Sequence, residues 1–192
     1  MAAKPLTERP LDLIYVGFFL CHIPATVFLG MQALYTVPWL PTSLTNLPKL
    51  YVEMSRDPLV GSVVGLIGSP ESHGWFLPFH ILEVCFQFPV FILGTLGLRK
   101  DCKKVYILLL IYGASTVTTM LPCLAVLIRT PLTTPETLAS KTVSLTTEQK
   151  MMLLSSYIPF FLIPLFMTID MALHVHKLVQ IGVRAQHTAK TQ

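Results

Sequence analysis

Glu83 lies in the middle of an otherwise lipid-compatible run from Trp75 to Leu98, with His80 three residues before it and Gln87 four residues after. In a helix these positions share one face. A carboxylate inside hydrocarbon costs at least about 2.5 kcal/mol, so the group must carry a proton, find a partner or turn toward a polar hollow. The shared face is therefore expected to look inward. Three roles fit such an acid: a proton donor or acceptor, a counter-ion for a basic ligand, or a hydrogen-bonding group that only ties helices together.

The elements that must position Glu83 follow from composition and length. The 192 residues are 53% apolar and only 12% charged, with a mean hydropathy of +0.63; a soluble chain carries roughly a quarter charged residues. Apolar windows long enough to cross about 30 Å of hydrocarbon fall near 11–34, 76–98, 105–128 and 151–174. The expected fold is an all-α membrane protein. It is a four-transmembrane-helix bundle with proline-kinked helices and a long lumenal loop between helices 1 and 2, one domain over 1–192. The first window is too long for a secretory signal and lacks a small-residue cleavage site, so it is expected to persist as a helix.

The net charge of +4 is small, and no basic run is interleaved with aromatics, which excludes a nucleic-acid surface. Cys21, Cys85, Cys102 and Cys123 lack the close spacing of a metal or redox motif and read as small packing residues. No metal and no cofactor is expected. Nine Lys and Arg fall on the side holding the N-terminus, the 99–104 connection and the C-terminal tail, against five on the other side. The positive-inside rule then puts both termini in the cytosol.

Every window contains proline: Pro24, Pro89, Pro122, and the pair Pro159 and Pro164. Each removes a donor and releases the carbonyl four residues earlier, so polar side chains are expected around the kinks. His22, Gln87, Thr116, Thr118, Thr119, Ser155, Ser156 and Tyr157 are available, and the Thr and Ser hydroxyls read first as interhelical glue. His73 and His80 read as lumenal interfacial anchors, and Asp12 and Asp170 as headgroup-level acids near the cytosolic ends. The loop from Tyr35 to Trp75, with Pro38, Pro41, Pro48, Pro58 and Pro70, is apolar enough to fold over the bundle mouth; the 130–150 connection reads as solvated.

A succession of motifs then carries a resemblance: Cys21-His22-Ile23-Pro24 with Met31-Gln32-Ala33, Arg56-Asp57-Pro58-Leu59, Glu83 with Phe86-Gln87-Phe88-Pro89, Thr118-Thr119-Met120-Leu121-Pro122, and Ser156-Tyr157-Ile158-Pro159. In order and through all four windows they resemble the sigma-2 receptor family of the EXPERA superfamily, which includes the emopamil-binding sterol isomerases. The resemblance implies a four-helix endoplasmic-reticulum protein, a homodimer, with an occluded pocket that takes sterols and cationic amphiphiles from membrane lipid. It implies Asp57 and Glu83 as pocket acids and Gln87, Thr119 and Tyr157 as pocket lining, with His22 of the first motif beside them as a further ligand-binding candidate. Where the family has an aspartate before the Met-Gln-Ala motif, this chain has Gly30. That departure implies a pocket retuned toward neutral lipids.

Three functions remain open on this reading. One is a non-enzymatic binder of a sterol-like lipid. Another is an isomerase or cyclase in which Glu83, with Asp57 as a second acid, moves a proton on a sterol or terpenoid skeleton. The third is a membrane chaperone acting through its basic cytosolic segments.

Overall fold

The computed structural model describes residues 4–34 and 41–190, so Tyr35 and Pro38 at the start of the expected lumenal loop lie outside the described residues. Four helices are long and apolar enough to cross a membrane: α1 (Pro10–Gly30), α4 (Phe76–Arg99), α5 (Val105–Arg129) and α6 (Thr147–Lys190). Between the first two lie α2 (Leu47–Ser55) and α3 (Pro58–Val63). Three of the four windows agree with the sequence reading to within a few residues. The fourth helix runs on to Lys190, 44 residues and about 66 Å of helix. A bilayer core needs about half of that.

The bundle packs around a core shared by α1, α4, α5 and α6. Tyr15, Phe19, Phe91, Leu109, Tyr112 and Met167 are almost fully buried, and Phe19, Phe91 and Tyr112 contact one another ring to ring at 5.4–5.6 Å. Small residues set the helix spacing. A Cβ on Gly94 would come within 2.8 Å of Phe19, and one on Gly113 within 2.9 Å of the Pro164 carbonyl. At one end Arg9 binds Asp12 and the Leu98 carbonyl, and Tyr15 donates to Asp170.

The expected long loop is largely helical, because its apolar residues find a surface to bury against. Leu59 of α3 is fully buried with Phe76 and Cys123, so the segment caps the mouth of the bundle. Asp57 starts α3 by accepting from the Leu59 and Val60 amides, with Pro58 in the first turn, where its missing N–H costs nothing. The Gly61/Gly65 pair ends this helix instead of joining two spans. The Leu66 and Ile67 amides return to the Gly61 carbonyl, and Gly65 sits at φ +71°. The 130–150 connection is also less solvated than expected, since Leu145 is buried against Leu127 and Leu153.

Prolines disturb two of the spans, though by widened turns. Thr26–Gly30, just after Pro24, and Glu83–Gln87, just before Pro89, are π-helical, with the Met31 and Phe88 amides reaching back five residues to Thr26 and Glu83. Pro122, Pro159 and Pro164 lie within unbroken helix. The Thr and Ser hydroxyls are not interhelical glue: Thr118, Thr119, Ser155 and Ser156 donate to carbonyls three or four residues earlier in their own helices. A hydroxyl can always reach that carbonyl, whereas a partner on another helix requires registration. Of the cysteines only Cys123 is buried, and Cys21 and Cys85 lie on the outer surface.

Candidate functional site

The two π-helical segments face each other across a cavity of about 310 Å³. π-turns are uncommon and gather at functional sites. Here they carry the polar end of the hollow. Thr26 donates its hydroxyl to Glu83 Oε1 at 2.7 Å, and His22 Nε2 lies 3.7 Å from the same oxygen. The His22 ring is clamped between Phe91 and Phe160 at centroid distances of 4.5 and 4.6 Å. Its buried Nδ1 has no hydrogen-bond partner among the described residues.

Gly30 backs directly onto the acid. A Cβ at that position would stand 3.6 Å from Glu83 Oε1, ordinary van der Waals contact, so the missing side chain leaves room beside the carboxylate. Gln87 lines the same hollow at 5% exposure, and its side-chain amide makes no hydrogen bond among the described residues. Buried amides are rarely left unpaired. His80 completes this face; it is buried and lines the cavity, not an interfacial anchor as its position near the span end had implied. The far wall is apolar: Val60, Phe76, Phe79, Met120 and Cys123. No lysine or arginine lines the cavity among the described residues.

Of the sequence candidates, Glu83, Gln87, Thr119, Tyr157 and His22 line the cavity, and Asp57 does not. Asp57 is fully buried behind the wall with both oxygens engaged. Oδ1 accepts from the Leu59 and Val60 amides at 2.8 and 3.2 Å, and Oδ2 from the Tyr51 and Tyr157 hydroxyls at 2.9 and 2.7 Å. This is a correction to its reading as a ligand contact: four donors leave no lone pair directed at the hollow. Burial, and after it the negative Asp57, push the Tyr51 phenol well above its ordinary range, which keeps it a donor. Thr119 likewise spends its hydroxyl on the Ser115 and Thr116 carbonyls. Tyr51 and Thr26 were not singled out from the sequence. Thr26 was legible, since it stands one helical turn beyond His22 on the same face; Tyr51 was not, because its place depends on α2 folding back over the bundle.

An all-helical membrane protein with an enclosed, mostly apolar pocket and one acid near mid-span is the class these features define. A family model described as EBP: EXPERA (EXPanded EBP superfamily) matches residues 43–171, and the chain belongs to that family. It is similar to sigma intracellular receptor 2 of Homo sapiens, 30% identical over 176 residues that cover 87% of this chain and 90% of that one. It is also similar to efficient mitochondria targeting-associated protein 19 of Schizosaccharomyces pombe, 30% identical over 172 residues covering 87% and 78%. Family membership supports a lipophilic-ligand-binding role for this membrane protein.

Proposed function

We propose that the cavity holds a neutral, sterol-like lipid, with its hydroxyl at Glu83 and Gln87 and its hydrocarbon against Phe76, Phe79 and Met120, in the service of sterol or lipid handling. The observation that carries this reading is the Glu83 carboxyl group facing the gap beside Gly30, with the unmet Gln87 amide in the same hollow. An alcohol both donates and accepts, so it satisfies an acid and an amide together. An ammonium would depend on one carboxyl group already shared with Thr26, in a hollow where an unbalanced charge is costly. A volume of about 310 Å³ is at the small end of the ligand-pocket range.

The reading extends to a single EXPERA-like domain that forms a homodimer in the endoplasmic reticulum membrane with both termini cytosolic. The excess of Lys and Arg on the side of the termini supports the orientation. Mass spectrometry of lipid that co-purifies in detergent tests the ligand: a neutral hydroxylated lipid, recovered unchanged from the wild type and lost from Glu83→Leu, is expected. Retention by Glu83→Leu would count against the site.

One observation favours an alternative, an isomerase or cyclase. His22 stands 3.7 Å from Glu83 and His80 lines the same wall, so protons have a relay within reach. Turnover of sterols or cyclisable prenylated substrates that disappears in Glu83→Gln would decide for chemistry over binding.

A further inference from the structure

A second hollow of about 330 Å³ lies on the outer side of the bundle, between α1 and α2. Its outer walls are Pro24, Phe28, Leu47, Leu50 and Met54, with Leu50 and Met54 60% and 61% exposed. Ala25, Leu29 and Tyr51 line both this groove and the inner cavity, so three side chains form the whole partition between them. Tyr51 is pinned by its hydroxyl to Asp57, and the backbone carrying Leu29 is the π-helical Thr26–Gly30 segment, where the regular ladder is already interrupted.

We propose that the outer groove is a second binding site for a hydrocarbon-rich neutral molecule, the loading site from which the inner cavity fills, and that Tyr51 is the door between them with Asp57 as its latch. Continuity with the cavity names the occupant. Every lining side chain except Tyr51 is apolar, none is charged, and the two most exposed walls belong to α2, which covers the bundle beside α1. A molecule held there by its hydrocarbon moves inward by displacing one tyrosine ring and meets its first polar partners, Glu83 and Gln87, only on the far side. The arrangement also accounts for the Asp57 cage, which the cavity itself does not use: releasing Tyr51 leaves Asp57 three of its four donors, so the door can open without melting α3.

This inference rests on the reading of the cavity as a lipid site, and the test separates the two. Leu50→Cys and Met54→Cys are made singly in a chain whose four native cysteines are alanine, and reconstituted in nanodiscs. Each is capped after folding with a benzyl methanethiosulfonate, so that plugging cannot perturb assembly. Association and dissociation of the fluorescent sterol dehydroergosterol are then followed. Capping is expected to slow both rates about tenfold with little change in Kd, because a blocked path raises one barrier for entry and exit alike. Reduction of the cap restores both rates, and Tyr51→Phe, which frees the latch, quickens both. Unchanged rates after capping, or a change in Kd carried by dissociation alone, overturn the loading path. No binding by the uncapped wild type overturns the lipid reading and the path with it.

Discussion

Replacing Asp57 by alanine tests whether this acid builds the wall or touches the ligand. The substitution removes the cap of α3, a loss of about 1 kcal/mol. It also leaves the Tyr51 and Tyr157 hydroxyls without their acceptor, at about 1–3 kcal/mol for each buried group. The three losses share one network and do not simply add, so roughly 4 kcal/mol is the expected total. For a chain of this size that corresponds to a fall in Tm of roughly 8–16 °C. Asp57→Asn keeps an oxygen for the cap and should lose roughly 1–2 kcal/mol, while Glu83→Gln, which retains an acceptor for Thr26, should lose less than either. The assay is thermal unfolding followed by intrinsic fluorescence in one detergent, without added ligand. The reasoning is refuted if Asp57→Ala unfolds with the wild type yet no longer binds sterol, since the carboxylate would then be a ligand contact.

Other expectations follow from the same geometry. Gly30→Asp puts a second carboxyl group beside Glu83 and should raise affinity for a radiolabelled cationic amphiphile at least about tenfold over a weak wild-type value; equal affinities would show that Gly30 does not set the preference. Gly113→Ala forces its new methyl onto the Pro164 carbonyl and should cost about 1–3 kcal/mol in the same unfolding assay, whereas Gly17→Ala, with nothing within 4 Å, should be neutral or slightly stabilising. Removing residues after His176 deletes only exposed helix and should leave Tm and sterol binding unchanged; a loss of either would assign that extension a structural part.

What the sequence revealed and what it hid divide along the range of the interactions. The four spans were legible because hydrocarbon imposes about 20 apolar residues on every crossing. Glu83 was legible because a charge inside such a run has few affordable surroundings, and with it His80 and Gln87, which share its face. The burial of α2 and α3 against the bundle was only half legible: the apolar run around Leu59 implied a cover, but not that Asp57 would spend all its lone pairs on two amides and two distant phenols. Those partners, at 51 and 157, meet only in the folded chain. The π-turns were hidden too, since prolines announce a disturbed ladder without saying whether it kinks or widens. The space beside Gly30 needed coordinates, because an absent side chain matters only through what it would have touched.

The central claim is that a neutral lipid lies in the inner cavity with its polar end at Glu83. Photo-affinity labelling with a sterol bearing a diazirine in its hydrocarbon portion, followed by mapping of the labelled peptides, tests it most directly. The account predicts adducts on the apolar wall at Phe76, Phe79 and Met120, competed by unlabelled sterol and lost in Glu83→Leu. Labelling confined to the outward-facing Leu20, Ile111 and Leu173, each more than half exposed on the outer surface, and unaffected by competitor, would contradict it.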